Sequence, residues 1–457
     1  MIQSPREELL SPSRKGALFY FVVGAVLFLL LGLLAHNMPG QQNCDFKALY
    51  TASKAFLQHH DPYRQANLVR AYQSLYPGYH PILSQVDTIY VNLPSTVVLL
   101  APFALLPWTA AQVLWSALTA VSVIFAAWLM WDLAYVWSPR VAGILTFVVL
   151  SGSQALLFVG NPAGLVIGLV TIGAWCFVRE KNVAIGVACM AIALLIKPQD
   201  AGFIWLYFLL IGGRSRRRAL QTLAIVIPVA CWAAISIAQI SPDWMIELRQ
   251  NLMTTMGPEQ VNNPLATRVD PLWPGSMIVS LQTVTGVFWT DPRIYNGVAY
   301  LVLVPLIVFW ALKSKGSRPD PARAWIALAT IVPLSMLAGY HRQHDTRLLL
   351  LALPACAMLA ARKDRVGRLA VVFTSIAALA SSNLVLPLFG HVSYGLRDRM
   401  PGLGGKLLYA IVGRPVPLAL LVMSGFYCWL LLRPALLRDA DLSVGRIEED
   451  GPGVAVI

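Results

Sequence analysis

Uncharged apolar runs recur along this chain from residue 17 to residue 432. A bilayer core about 30 Å thick takes roughly 20 apolar residues when they form an α-helix. Inside lipid the backbone must satisfy its own hydrogen bonds, which a helix does within one segment. The repeated runs therefore predict an all-α polytopic membrane protein. Spans are predicted near 17–36, 109–131, 141–159, 162–178, 183–196, 200–213, 219–240, 297–312, 324–340, 347–361, 369–388 and 416–432, about 12 transmembrane helices in all. Composition excludes the alternatives. Apolar residues make up 57% of the 457 and charged residues 12%, about half the usual soluble fraction. A water-soluble enzyme of this size could not hide that much apolar surface, and a disordered chain would not carry it. Of the six cysteines only Cys44 lies outside an apolar run, which argues against a disulfide scaffold.

Charge sets the orientation. The basic clusters Arg214 to Arg218, Lys313 to Arg323 and Arg362 to Arg365 are expected in the cytoplasm. Counting spans from them places 37–108 outside only if the run 93–107 does not cross. That run is short and broken by proline, so it is read as a re-entrant or surface-lying helix on the outer face. The layout is then a cytoplasmic N-terminus (1–16), one transmembrane domain (17–432) and a cytoplasmic tail (433–457). Its long outer loops are 37–108 and 241–296. The first span follows Arg14-Lys15 without a small-residue cleavage motif, so it reads as a retained helix. The net charge of +13 requires no nucleic acid: it is mostly cytoplasmic loop charge facing anionic membrane lipids.

No predicted span carries a charge at its middle, where coupled transporters usually keep one. All seven histidines fall on the outer side of this layout. So do three short polar segments, around Asn161, around Lys197 to Asp200, and from Tyr340 to Asp345. The active site is therefore expected in a cavity at the outer membrane face. In the first loop Phe46, Leu49, Tyr50 and Phe56 recur at helical spacing, which suits an amphipathic helix lying on the membrane with Asp45 at its N-terminal end. An Asp there could simply cap the helix, and Asp61-Pro62 could simply open a turn. Lys197 could be a snorkelling anchor. His341 to Asp345 could be a knot that ties helix ends together. His59, His60, His341, His344 and Asp345 could supply metal ligands, but neither HExxH nor a paired CxxC is present, so no metal is predicted. Tyr63, Tyr72, Tyr76, Tyr79, Tyr90, Trp244, Trp273 and Trp289 suit an interfacial belt as well as a sugar or lipid surface.

The order of motifs resembles glycosyltransferase family 87. A first span is followed by Asp45-Phe46, then Tyr50 and Ala52 on a helix, then Asp61-Pro62-Tyr63. Tyr90 to Pro94, with Ala101-Pro102-Phe103 and Leu106-Pro107, continues the resemblance. So do Gly160-Asn161-Pro162, the stretch from Gly186 to Lys197-Pro198, and Tyr340 to Asp345. The chain departs from the family at Asn161, where Gln is usual, and around Asn92. The resemblance implies a GT-C fold, with outer-face juxtamembrane helices over the bundle, in a bacterial inner (plasma) membrane. It implies a polyprenyl-phosphate sugar donor, mannose being the sugar of the best-known members, and a lipid or glycan acceptor. No cofactor is implied. The acceptor hydroxyl would attack the anomeric carbon with inversion, and polyprenyl phosphate would leave.

On that resemblance Asp45 is the expected general base. Lys197, His341, Arg342, His344 and Arg347 are the expected partners of the phosphate, with Asp345 fixing a histidine tautomer. Asn161, Asp61 and Tyr63 are further expected substrate contacts. Two other readings stay open at this point. A flippase or transporter for a lipid-linked glycan would line its centre with cations. A non-catalytic binder of such a lipid would keep the cationic cluster and tolerate loss of Asp45.

Overall fold

The computed structural model describes residues 12–36, 43–75, 88–258, 260, 262–266, 269–270, 273–274, 278–316, 320–385, 388–389 and 402–433. The first eleven residues, the tail beyond 433, and Tyr76, Tyr79, His80 and His391 lie outside the described residues. Helix α1 (Pro12–His36) precedes a first-loop unit of α2 (Cys44–Leu57), α3 (Gln65–Leu75) and α4 (Pro94–Ala104). Then come α5 (Trp108–Trp137), α6 (Pro139–Ser151), α7 (Ala155–Phe158), α8 (Ala163–Arg179), α9 (Val183–Ile196), α10 (Pro198–Ile211) and α11 (Gly213–Ala238). The second loop holds α12 (Trp244–Thr255), a two-residue antiparallel pair of β1 (Val269–Asp270) with β2 (Trp273–Pro274), and α13 (Gln282–Phe288). The chain ends with α14 (Pro292–Ser314), α15 (Pro321–Ala338), a 3-10 stretch (Gln343–Ala352) running into α16 (Leu353–Ala361), α17 (Arg365–Ala380), α18 (Leu403–Gly413) and α19 (Pro415–Leu431).

Local chemistry explains the breaks. Proline opens α4, α6, α10, α14, α15 and α19, where its missing N–H costs nothing. Asp291, Asp320 and Asp364 cap α14, α15 and α17 by accepting from backbone N–H groups. Every predicted span has a helix, but the lengths differ from expectation. Among the described residues seven helical stretches are long and apolar enough to cross a membrane, or eight if the bent pair α18–α19 counts as one. The spans expected at 162–178, 183–196 and 200–213 are helices of 17, 14 and 14 residues. Lys197-Pro198 and Gly212-Gly213 interrupt the apolar run and set those limits. The stretch 93–107 contains an 11-residue helix, α4. Its length is about 16 Å at 1.5 Å per residue, half of a bilayer core.

Burial separates a centre from a rim. The apolar window of α15 is 83% buried and that of Gln343–Ala361 is 89% buried, against 17% for α11. The apolar face of α2 packs on protein, not on lipid. Phe46, Leu49 and Tyr50 are fully buried with Val97 and Leu100 of α4 and Trp115 of α5. The Phe46 ring stacks on Trp115 with centroids 4.8 Å apart. Burying a side chain of that size stabilises by about 1.5–3 kcal/mol. The N-terminus of α2, with Asp45 on it, is thereby fixed against the bundle.

Candidate active site

Asp45 sits on the first turn of α2. Asn43, in the left-handed region at φ 48, donates its N–H to the Phe158 carbonyl at 2.7 Å, and the Asp45 N–H donates to Val159 at 3.1 Å. These bonds sew the helix start to the α7–α8 loop. That loop turns at Gly160, φ +68, where a Cβ would stand 2.5 Å from Asn43 Oδ1 and 2.9 Å from the Phe46 Cβ. Only glycine fits both the conformation and the space. Trp115 Nε1 donates to the Gly160 carbonyl at 2.9 Å. Asn161 then serves two helices. Its Oδ1 accepts from the Ala163 N–H at 2.8 Å, at the start of α8, and its Nδ2 donates to Asp45 Oδ2 at 2.5 Å. Among the described residues the carboxylate of Asp45 accepts from this amide and from no backbone N–H, so the capping explanation is not what the structure shows. Its other oxygen, Oδ1, lies 3.8 Å from the Cys44 thiol.

A buried ionic cluster lies beside it. Lys197 occupies the break between α9 and α10 and is 7% exposed. Its ammonium pairs with Asp200 Oδ2 at 3.1 Å and with Asp345 Oδ1. Both carboxylates hold it within the protein, so it is not a snorkelling anchor. His341 Nδ1 lies 3.0 Å from Asp200 Oδ1 and 3.5 Å from Asp345 Oδ2. His344 Nε2 lies 3.4 Å from Asp345 Oδ1. The Arg342 N–H donates to Asp345 Oδ2 at 2.8 Å, closing the first turn of the 3-10 stretch. Asp200 stands in the first turn of α10, where the helix dipole favours a negative charge.

The second loop holds this segment in place. Ile278 bridges to Arg342, and the Val279 N–H donates to the His341 carbonyl at 2.9 Å. Arg342 donates from Nε to the Tyr340 hydroxyl at 2.6 Å and from Nη2 to Asn262 Oδ1 at 2.9 Å. Its guanidinium is half-buried. Burial lowers its affinity for the proton, but Tyr340 and then Asp45 raise it further. The charge of Asp45 is therefore felt at Arg342, and the two halves of the site meet there.

Burial pulls the His341 imidazole down, and the Asp200 and Asp345 carboxylates lift it to about 9. A folded value above the ordinary ~6.5 means stability that is complete below pH ~6.5 and lost as pH rises through about 9. The melting temperature is expected to fall between pH 7 and 9.5, and His341→Gln should flatten that slope. A parallel slope in wild type and variant contradicts the assignment.

Asp200, His341 and Asp345 also form the one metal-like grouping among the described residues, with ligand atoms within 4.8 Å of one another. Lys197 already bonds both carboxylates, so a divalent cation would have to displace an ammonium. His59 and His60 are exposed at the far end of α2.

The remaining predicted residues lie elsewhere. Asp61 Oδ1 accepts from the Tyr63 N–H at 2.8 Å, and the Tyr63 hydroxyl donates to the Asn92 carbonyl at 2.9 Å. Asn251 of α12 donates to the carbonyls of Tyr63 and Tyr90. Burial and the neighbouring Asp61 raise the Glu247 carboxyl to about 7. Asp61 and Tyr63 thus tie the first and second long loops together, and among the described residues no hydrogen bond joins them to the Asp45 cluster. Arg347 points into the bundle, where it meets the carbonyls of Val149 and Ser381 and the Thr346 hydroxyl. Sequence reasoning missed Asp200, Tyr340 and Asn262 as members of the site. Asp200 carried a signal, three residues after Lys197 at a proline-started helix. Asn262 carried none.

The family model described as glycosyltransferase family 87 matches residues 90–339, more than half of the chain. The matched segment contains Asn161, Lys197 and Asp200. Asp45 and the segment His341 to Arg347 flank it. No curated protein and no solved structure matches the chain.

Proposed function

The chain belongs to glycosyltransferase family 87, and from that premise we propose that it moves a hexose, mannose first among the candidates, from a polyprenyl-phosphate donor to a lipid or glycan acceptor. The setting we propose is the outer face of a bacterial plasma membrane. The observation that carries the reading is a half-buried carboxylate, Asp45, whose charge reaches a half-buried guanidinium, Arg342, held only by neutral partners among the described residues, Tyr340 and Asn262. Among the described residues no carboxylate lies at ion-pair distance from the Arg342 guanidinium, whereas Lys197 is committed to two.

Direct displacement asks for a base on one side of the sugar and a cation on the other. Asp45 takes the proton of the acceptor hydroxyl as that oxygen attacks the anomeric carbon. Asn161 aims the carboxylate by holding Oδ2, which leaves Oδ1 to meet the hydroxyl. The bond from the anomeric carbon to the phosphate oxygen breaks, and negative charge builds on the phosphate. Arg342 meets that charge, with His344 as a second donor. Lys197, His341 and Asp345 act as positioning residues: their ion pairs fix the 3-10 turn from which Arg342 projects. Asp61, Tyr63 and Arg347 support the loops and the bundle. No metal enters this scheme, because Lys197 holds the carboxylates that one would need.

The test is transfer by purified protein in nanodiscs, given polyprenyl-phosphate mannose, glucose or arabinose, each radiolabelled, with a lipid and glycan extract. Label should move from one of these donors, and EDTA should leave the rate unchanged. A donor that binds without transfer supports the flippase or scaffold reading instead. A rate abolished by EDTA and restored by a divalent cation contradicts the metal-free scheme.

A further inference from the structure

A cavity of about 240 Å³ lies between the second long loop and the bent pair α18–α19. Neither Asp45 nor Arg342 lines it. Two other cations do, Lys406 of α18 and Arg414 at the bend, with the hydroxyl-bearing side chains of Thr290 and Tyr409. Among the described residues no carboxylate lines it. Arg414 is 5% exposed. Its Nη2 donates to the Ala266 carbonyl at 3.3 Å, and its guanidinium stands 5.9 Å from the centre of the Tyr409 ring. Lys406 is exposed, and its ammonium donates to the Phe288 carbonyl at 3.4 Å. Gly402 and Gly405 line the cavity too, so the first turn of α18 opens on it. The N–H groups of a first turn have no partner inside their own helix, and with the helix dipole they favour an anion. Backbone and side chains thus call for the same ligand, a small anion with several acceptor oxygens.

Depth decides which anion. Helix α18 is turned 79° from α19, so with α19 as the last span α18 runs nearly along the membrane plane. Leu403, Leu407 and Ile411 recur every four residues and are exposed. A helix with such a face lies at the boundary of head groups and acyl chains, which is the depth of a phospholipid phosphate. The volume suits that group, since 240 Å³ is room for about eight waters at ~30 Å³ each. We propose that this cavity binds the phosphodiester of an anionic bilayer phospholipid, one that is neither donor nor acceptor. Two cations on so small a cavity repel the ammonium of a zwitterionic head group, so the net charge of the lipid is read.

A short turn links this cavity to the reaction corner. Pro264 and Leu265 form one wall. Leu265 sits tightly on Gly286, where a Cβ would stand 2.2 Å from its Cδ2. Asn263 braces the turn: its Oδ1 accepts from the Leu265 N–H at 2.8 Å, and its Nδ2 donates to the Gly257 carbonyl at 2.9 Å. Beside it stands Asn262, whose Oδ1 accepts from Arg342 Nη2 at 2.9 Å. Resting on the glycosyltransferase reading above, a lipid in the cavity steadies this turn, and Arg342 with it, and so raises the rate of transfer.

The test is lipid retention, which needs no transfer. Protein would be placed in nanodiscs of phosphatidylcholine, alone or with added phosphatidylglycerol, then released into detergent and weighed by native mass spectrometry. Wild type should keep one phosphatidylglycerol per chain and melt at least about 3 °C higher in the mixed discs, since a ligand bound only by the folded state stabilises it. Lys406→Gln and Lys406→Glu, both at an exposed position, should cut retention at least tenfold and abolish the shift. Arg70→Gln removes an exposed cation of α3 that lines no part of the cavity, and it should match wild type. Equal retention by wild type and both Lys406 variants overturns the site, as does phosphatidylcholine kept as firmly as phosphatidylglycerol. Millimolar inorganic phosphate that raises the melt in phosphatidylcholine discs as far as phosphatidylglycerol does makes this a site for a free anion and overturns the lipid. With an active donor, kcat should be at least threefold higher in the mixed discs, and Lys406→Gln should lose most of that gain. Retention that depends on Lys406 without any gain in kcat overturns the link to Arg342. No transfer from any donor in either disc sinks the glycosyltransferase reading itself, and retention still decides the lipid site.

Discussion

Asp45→Asn is expected to leave a folded protein whose kcat is lower by about 10²–10⁴-fold, the usual contribution of a positioned general base. The substitution keeps the shape of the side chain. Its amide oxygen can still accept from Asn161 Nδ2, the bond that aims Asp45 in the native protein. The stacking of Phe46 on Trp115 is untouched, so the melting temperature should barely move. What is lost is a group that can take the proton from the acceptor hydroxyl. Because the donor phosphate is assigned to Arg342, the KM for donor should change by less than threefold. Steady-state kinetics beside a thermal melt separate these effects. Activity within tenfold of wild type on the proper acceptor removes Asp45 from the role of base.

The largest effect on stability is expected at Lys197. Removing one partner of a buried ion pair typically costs about 3–5 kcal/mol, because the opposite charge is left unpaired. Here two carboxylates would be left, Asp200 and Asp345, with His341 between them and His344 beside Asp345. Lys197→Met should therefore destabilise by about that amount, measured by unfolding in mixed micelles. Asp345→Asn should also destabilise, and the double variant should lose less than the sum of the two. Loss of the turn that projects Arg342 should lower activity in all three. A cost below 1 kcal/mol for Lys197→Met is the behaviour of an exposed anchor, and it would contradict the buried pairing.

Much of this fold was legible before the structure. Apolar runs without charge specify helices, and each predicted span has one. The proline-broken stretch 93–107 yielded an 11-residue helix. Helix periodicity also located α2, but it could not say what its apolar face would meet. Phe46, Leu49 and Tyr50 at helical spacing serve equally well against lipid or against Trp115. The polar segments of the site were legible as segments: Asp45, Asn161, Lys197 and His341 to Asp345 were each singled out. Their pairing was not, since Asn161 lies 116 residues from Asp45 and Lys197 lies 148 residues from Asp345. Such contacts are set by how helices pack, and no local pattern encodes them. The same limit explains Arg347. Two residues past Asp345 it reads as one more cation of the cluster, but the 3-10 turn directs it inward to backbone carbonyls. Asp61 and Tyr63 carried a motif-like spacing whose observed work is to join the two long loops.

The chemistry proposed for this corner is direct displacement, with Asp45 as base and a lipid phosphate as leaving group. Its most direct test is the anomeric configuration of the product, read by NMR coupling after a single turnover of wild-type protein with a donor of known configuration. The product should carry the opposite configuration, with polyprenyl phosphate released one for one. Retained configuration, or a sugar left covalently on Asp45, contradicts it.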